Sequence, residues 1–248
     1  MFGRYAEGVL MNIIPDLHYT PDEYKVASSI EGLYRSVLEQ YDPRLITVYG
    51  IYPGYLSQRT KVLFVGREAR GMSGGNYIEG VFNAYRNGCL NGKKQVSINR
   101  AAFHRRMLKV SYLLQNQLDA GQWIPPARTV GRTFGGPGGV SFAFMNSSHY
   151  SNESQNRQTN WVNLRASNRG TFASNFIEIV APDLIIGMGM RNQLSQQIEM
   201  GPVIARSGMA TLLSCRVGSH SCVLLDGYHY SAIKRDEDHY FAPARLYL

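Results

Sequence analysis

Three polar side chains closely follow hydrophobic segments in this sequence. Glu68, Asn146 and His229 come after the segments VLFV, FAFM and CVLL, respectively. A carboxylate can orient or deprotonate a water molecule, and a histidine can donate a hydrogen bond to a developing oxyanion. An asparagine amide can read a neighbouring donor and acceptor on the edge of a base. The three residue types together predict a shared site, although each taken alone is also typical of an ordinary loop residue.

Such a site requires a sheet that brings the segments together. Residues 62–65 are consecutive apolar residues with two β-branched members, which is typical of a strand buried on both faces of a parallel sheet. Gly66 ends this strand. Ligands of open α/β sheets bind outside the carboxyl ends of the strands, so we expect Arg67, Glu68 and Arg70 at the binding edge. Further strands are predicted over residues 141–145, 184–186 and 222–225, with a strand or part of a hairpin at 212–215.

Helices alternate with these strands. Thr20 and Glu23 form a capping box with Pro21 at the first helical position, which predicts a helix over residues 20–41. A second long helix, capped by a serine, is expected over residues 97–120. Shorter helices are predicted over residues 77–87, 171–180, 192–200 and 241–246.

The length and composition suit one sizeable hydrophobic core. The chain has 248 residues, of which 44% are hydrophobic and 18% are charged. The alternation of elements predicts a single α/β domain over residues 1–248, with an N-terminal arm and helix in 1–60 and a core in 61–240. The expected fold is a three-layer, doubly wound, mostly parallel four-stranded sheet with flanking helices.

The charge of the chain bears on its partners. A formal net charge of +8 and a pI of about 9.4 favour a polyanion such as nucleic acid, although many basic proteins bind nothing anionic. The helix over residues 97–120 has a cationic face that either is solvated or contacts phosphates. This face consists of Arg100, Arg105, Arg106 and Lys109.

Several classes of protein are disfavoured by the composition. Residues 9–14 are too short an apolar run for a signal peptide, and no run of about 18 apolar residues indicates a membrane span. The three cysteines form no CxxC pair and are odd in number, which favours a reducing cytoplasm and disfavours a disulfide framework. No pair of the six histidines has metal-ligand spacing. We therefore expect a cytoplasmic protein with neither a metal nor another cofactor.

Four motifs occur in a characteristic order: a strand ending in FVGREARG, a strand ending in FMN, the segment APDLIIGMG, and a strand ending in YHYS. This series resembles the uracil-DNA glycosylase superfamily. In that superfamily the first strand runs into a water-activating motif of the type GEAPG, GQDPY or GMNPG. The last strand runs into a His-Pro-Ser type of motif, followed by a loop that probes the duplex. The resemblance places Glu68 in the first motif and His229 in the last, with Asn146 at the position of the base-reading asparagine.

Three positions differ from the superfamily pattern. Arg70 stands where the first motif has proline, Arg67 either adds a residue or displaces the glycine of that motif, and Tyr230 replaces the proline of the last motif. The cysteine-ligated iron–sulfur cluster of some superfamily members cannot be built from the cysteines of this chain.

The resemblance implies a DNA repair enzyme that flips a deaminated base such as uracil out of DNA and hydrolyses its N-glycosidic bond. By this likeness Glu68 positions the water, His229 stabilises negative charge on the leaving base, and Asn146 selects the base. DNA is the implied partner. The other implied site residues are Gly66, Arg67, Arg70 and Ser231 around the base, Tyr77 or Phe82 stacked on it, and Lys234 and Arg235 on the phosphates.

Two alternatives remain open. The segment GMSGG fits the GxSxG motif of serine hydrolases with Ser73 as nucleophile, and Asp226 and His229 follow in the order of that class. However, a nucleophile elbow places its serine immediately after the strand, whereas Ser73 comes several residues later. The second alternative is a non-catalytic nucleic-acid or nucleotide-binding protein on the same fold, which the altered first and last motifs favour.

Overall fold

The structure is a computed structural model that describes residues 13–69, 74–90, 95–149 and 171–248. It has an α/β fold in which helices pack around a mixed sheet. The strands are β1 (Thr47–Val48), β2 (Gly50–Ile51), β3 (Val62–Glu68), β4 (Gly75–Asn76), β5 (Cys89–Leu90), β6 (Val96–Ser97), β7 (Ala143–Ser148), β8 (Leu184–Gly187), β9 (Glu199–Ser207), β10 (Ala210–Val217) and β11 (His220–Asp226). The helices are α1 (Pro21–Leu38), α2 (Tyr77–Asn87), α3 (Ala102–Gln115), α4 (Ala127–Arg132), α5 (Phe172–Val180), α6 (Arg191–Leu194) and α7 (Ala242–Arg245), with a π-helical turn at Glu237–Phe241 before α7.

The main sheet has the strand order β2–β7–β3–β8–β11–β10–β9. Its four central strands, β7, β3, β8 and β11, are parallel. β2 pairs antiparallel with β7 at one edge, and β10 and β9 extend the other side as antiparallel strands. Because the central strands point the same way, their carboxyl ends meet at one edge of the sheet.

The α/β class agrees with the sequence, but the expectation of a four-stranded sheet is wrong, since seven described strands form the main sheet. The additional strands lack the continuous apolar run that marks a buried parallel strand. β2 has two residues, and most side chains of β9 are exposed. β10 belongs to a hairpin with β11, which was one of the two possibilities for residues 212–215.

The β3–β7 pairing places two site residues next to each other. Gly66 lies opposite Asn146, and Glu68 lies opposite Ser148. The polar residues that end these strands are therefore neighbours across the sheet.

The capping box predicted for the first helix is confirmed. Thr20 Oγ1 accepts from the Glu23 amide over 3.3 Å, and Glu23 Oε2 accepts from the Thr20 amide over 3.0 Å. Glu23 is also buried, and its Oε1 accepts from the amide of Leu56 over 3.3 Å. This carboxylate therefore fastens the start of α1 to the segment before β3.

Two helices are much shorter than the sequence predicts, and α3 also ends at Gln115 rather than at residue 120. α3 begins at Ala102 rather than at Ser97, because Ser97 belongs to β6 and pairs with Cys89. The helix predicted over residues 192–200 is shorter: α6 ends at Leu194, and the chain enters β9 at Glu199. The backbone pairing of β6 and β9 thus overrides the local helical pattern.

The hydrophobic core surrounds the central strands. Residues 62–65 of β3 are fully buried, as the apolar run predicts. Within the described ranges no helix combines the length and the apolar character needed to cross a membrane.

Candidate functional site

A cleft of about 410 Å³ opens at the carboxyl edge of the parallel strands. Its walls come from the ends of β3 and β7, the start of α2, the first turn of α3 and the loop after β11. Apolar rings and polar groups are both present, as in sites that bind a flat, hydrogen-bonding ligand. The lining residues are Arg67, Glu68, Ala69, Tyr77, Phe103, His104, Phe144, Asn146, His229, Ser231 and Ala232.

The three polar residues that follow apolar strands in the sequence all line this cleft. Glu68 ends β3, Asn146 lies in β7, and His229 lies three residues after the end of β11. Glu68 is half-buried, and its charge helps to raise the pKa of the Tyr49 hydroxyl, for which burial is the main cause. The site thus combines a carboxylate, an amide and an imidazole from three parallel strands.

Asn146 is buried, with only 3% of its surface exposed, and its orientation is set by its neighbours. Its Nδ2 donates to Tyr49 Oη over 2.8 Å. Its Oδ1 lies against Gly66, and a Cβ added to this glycine would be 2.3 Å from that oxygen. Gly66 is therefore needed for the position of the amide rather than for a special backbone conformation.

The imidazole of His229 is oriented by the residue two positions later. The Ser231 amide donates to His229 Nδ1 over 3.2 Å, and Ser231 Oγ lies 2.7 Å from the same nitrogen. Because a backbone N–H can only donate, the neutral imidazole carries its proton on Nε2. The ring of Phe103 stacks on the imidazole with a centroid distance of 5.5 Å and an interplanar angle of 25°.

Aromatic rings form one wall of the cleft. Tyr77 stacks on Phe144 with a centroid distance of 4.8 Å and an angle of 26°. Phe103 meets Phe144 edge-on at 5.9 Å. Of the two aromatic residues predicted to stack on a base, Tyr77 lines the cleft. Phe82 does not, because it is buried in the core, where its ring lies 6.3 Å from that of Tyr52.

Sequence reasoning did not identify Phe103, His104 or Phe144 as site residues. Phe103 falls within the helix predicted over residues 97–120, and Phe144 within the strand predicted over residues 141–145. His104 lines the same cleft, and burial lowers its pKa to about 4. The signal available in the sequence was the adjacent Phe-His pair at the start of a helix. Which of its side chains face the cleft depends on the rotation of the helix relative to the sheet, and this is set by tertiary packing.

The cationic face predicted on α3 has a different role at two of its positions. Arg106 is 3% exposed, and its guanidinium donates to the carbonyl oxygens of residues 230, 232 and 234. It also donates to Asp236 Oδ1 over 2.8 Å, and Arg105 reaches Asp236 Oδ2 over 3.0 Å. Arg105 and Arg106 therefore hold the loop that follows His229 and do not form a solvated face.

The tip of that loop is exposed. The side chain of Ile233 is fully exposed. Lys234 lies over the ring of Tyr228, with Nζ 4.7 Å from its centroid. Arg235 forms an exposed ion pair with Asp238 at 3.3 Å. The two predicted phosphate-binding residues thus lie on the outer surface beside the cleft.

The serine hydrolase alternative receives no geometric support at its acid and base. Asp226 Oδ1 accepts from the amide of Met190 over 2.9 Å, whereas His229 Nδ1 is engaged by Ser231. A triad would require the acid to accept a hydrogen bond from the imidazole. The proposed nucleophile Ser73 and the predicted site residue Arg70 lie outside the described residues.

No metal centre is formed by the part of the chain that the structure describes, since no three His, Cys, Asp or Glu side chains there lie close enough to hold an ion. Comparison of the sequence with models of protein families and with curated proteins finds no match to either.

Proposed function

We propose that this protein is a DNA glycosylase of the uracil-DNA glycosylase type, which binds a flipped, deaminated base in the cleft and hydrolyses its N-glycosidic bond. The observation that carries this proposal is the convergence of Glu68, Asn146 and His229 on one cleft walled by aromatic rings. A base needs stacking surfaces and edge hydrogen bonds to compensate for extrusion, which costs a few kcal/mol.

The proposed chemistry assigns one task to each polar group. Glu68 orients the attacking water and accepts its proton as the bond to the sugar breaks. The Nε2–H of His229 stabilises the negative charge that develops on the departing base. Asn146 reads the edge of the base from a position fixed by Tyr49 and Gly66. Tyr77 supplies the stacking surface.

The exposed loop tip fits contact with a duplex. Ile233 is an apolar side chain in solvent, followed by two cations at Lys234 and Arg235. Proteins that distort DNA insert such apolar wedges between base pairs while cations contact the phosphates. We propose that Ile233 fills the space left by the flipped base. The net charge of +8 is consistent with this partner.

The test is base release from labelled oligonucleotides that carry uracil, hypoxanthine, xanthine or a mismatch, read out by alkaline cleavage. Wild type is expected to release at least one of these bases. Glu68→Gln and His229→Gln should each slow release by about 10²–10⁴-fold, the usual range for a positioned acid or base. Glu79→Gln, at an exposed acidic residue on α2, is the matched control and should retain the wild-type rate.

A second candidate, a binding protein without catalysis, is favoured by one observation: the cation Arg67 lines the cleft beside Glu68. An arginine there suits a nucleotide phosphate. Tight, salt-dependent binding of the oligonucleotides without release of any base would select this candidate and reject the glycosylase.

A further inference from the structure

His104 is a polar residue of the cleft to which the proposed chemistry assigns no task. It lies in the first turn of α3 and lines the cleft next to Phe103. Its Nδ1 is 2.9 Å from the hydroxyl oxygen of Tyr85, a fully buried residue of α2. The hydrogen-bonding direction between these two groups decides what His104 presents to a ligand.

Tyr85 determines this direction. The Tyr85 hydroxyl forms its hydrogen bond with His104 Nδ1, and the buried hydroxyl of Tyr52 lies beside it. Among the described residues Tyr52 has no other acceptor for its own proton, so donation from Tyr85 to Tyr52 would leave that proton without a partner, whereas donation from Tyr52 to Tyr85 would not. A buried hydroxyl is best satisfied when its proton is donated. Tyr85 therefore donates to Nδ1, and the proton of the neutral imidazole is on Nε2.

The Nε2 atom of His104 is open to the cleft. The structure gives it no hydrogen-bond partner among the described residues. Both ring nitrogens of His149 are sealed from solvent, whereas His104 Nε2 is not. The ring is neutral near pH 7, because burial lowers its pKa to about 4. His104 consequently offers a single, fixed N–H donor.

Asn146 offers the complementary group. Its Nδ2 is engaged by Tyr49, so its Oδ1 is the atom left to accept a hydrogen bond from a ligand. An acceptor and a donor in one cleft match a lactam edge, in which a ring N–H adjoins a carbonyl. Uracil and hypoxanthine have this edge, whereas cytosine and adenine present an unprotonated ring nitrogen and an amino group.

We propose that His104, held as an Nε2–H donor by Tyr85, reads the exocyclic oxygen of the base in the cleft and is the residue that discriminates against an amino group there. This inference rests on the proposed function. It adds a specificity-determining residue and a buried positioning residue behind it.

The test compares bases with and without that oxygen, whose removal also takes the proton from the adjoining ring nitrogen. Wild type is titrated with 2′-fluoro oligonucleotides, which resist hydrolysis, carrying uracil or pyrimidin-2-one, and hypoxanthine or purine. Loss of the oxygen should weaken binding by wild type about 10- to 100-fold for the base that it accepts, because a donor built for a carbonyl is left without a partner. In His104→Leu the loss of affinity should be clearly smaller, because only the contact of the ring N–H with Asn146 is then removed. A role in folding alone would not depend on the base.

Two further variants keep the result interpretable. His104→Asn can accept from Tyr85 and still donate into the cleft, so it should restore part of the discrimination. The double variant Tyr85→Phe with His104→Leu removes both buried polar groups, and it replaces His104→Leu if that protein unfolds. Equal sensitivity to the missing oxygen in wild type and in the leucine variant would overturn the inference.

The outcome is separable from that of the proposed function. Release of base is measured on ordinary 2′-deoxy oligonucleotides in parallel. If the effect of the oxygen on affinity depends on His104 but no base is released, His104 remains the reading residue and the glycosylase is rejected. If base is released but the effect of the oxygen does not depend on His104, the glycosylase is retained and the role of His104 is rejected. If wild type binds none of the oligonucleotides, both proposals fail.

Discussion

The guanidinium of Arg106 donates from Nε to Oδ1 of Asp236 over 2.8 Å, and this contact ties α3 to the loop that follows His229. The same guanidinium donates hydrogen bonds to the carbonyl oxygens of Ala232 and Lys234 over 2.8 and 2.9 Å. It also lies 4.0 Å from the centroid of the Tyr240 ring. One buried cation therefore connects the helix that carries Phe103 and His104 with the loop that carries His229.

We expect Arg106→Leu to lose about 3–5 kcal/mol of unfolding free energy, because it removes a buried cation and leaves loop carbonyl groups without their donor. Base release should fall with it, including in Arg106→Lys, which cannot reproduce the forked geometry. Chemical denaturation and the release assay measure the two effects. Arg105→Leu is the control: Arg105 also contacts Asp236 but gives no hydrogen bond to carbonyl groups 230, 232 or 234. An equal loss in both variants would argue against the importance of the hydrogen bonds from Arg106 to the loop carbonyl groups.

Gly66→Ala tests the position of the Asn146 amide, to which we assign the reading of the base. The new Cβ would lie 2.3 Å from Asn146 Oδ1, so the amide must move. We expect release to drop by about 10-fold or more, with a modest loss of stability of roughly 1–3 kcal/mol. A crystal structure of the variant would show whether the bond from Asn146 to Tyr49 is broken. Wild-type release in this variant would contradict the assigned role of Asn146.

The stability of the protein should fall in acid through its buried histidines. Burial lowers the pKa of His149 to about 3, while the unfolded chain takes up the proton near pH 6.5. The unfolded state therefore binds more protons below that pH, so stability is complete above it and is lost as the pH falls. At pH 5 this residue alone should account for about 2 kcal/mol.

His149→Leu should flatten that dependence without lowering stability at neutral pH, since neither ring nitrogen has a hydrogen-bond partner within the described residues. Melting temperatures from pH 7.5 to 4.5 give the comparison. His18→Gln, at an exposed position, is the control and should follow wild type. The prediction is wrong if His149→Leu and wild type decline in parallel.

Ile233→Ala tests the proposed wedge. Since the side chain is fully exposed, its truncation should leave the melting temperature unchanged. Affinity for a duplex with a 2′-fluoro uracil should fall by about 10-fold, the scale of burying a few methylene groups, whereas affinity for a single strand should change less. Fluorescence anisotropy measures both. Ile204→Ala, at an exposed apolar residue of β9, should alter neither affinity.

Lys234→Gln and Arg235→Gln test contact with phosphates. Each should reduce the slope of log affinity against log salt by about 0.9 on a duplex, with little dependence on the base in the cleft. Titrations at several salt concentrations give the slope. An unchanged slope in both variants would place the phosphate contacts elsewhere on this basic surface.

Much of the frame of the site followed from local patterns. The run over residues 62–65 predicted a buried parallel strand because four consecutive apolar residues have no solvated face. The capping box at Thr20 predicted the start of α1, since its hydrogen bonds join residues close in sequence. The order of strand ends predicted that Glu68, Asn146 and His229 would share an edge, because parallel strands align their carboxyl ends.

The tertiary structure decided which side chains face the cleft. Phe82 and Phe103 both lie on helices beside it, but the rotation of each helix buries the first in the core and exposes the second to the cleft. The charge of Arg106 predicts an exposed side chain when only the local sequence is considered. Its burial depends on the loop after β11, whose carbonyl groups accept hydrogen bonds from the guanidinium. His104 becomes a fixed donor through Tyr85, which lies 19 residues earlier in the sequence. Such contacts depend on packing between distant segments, which no local pattern encodes.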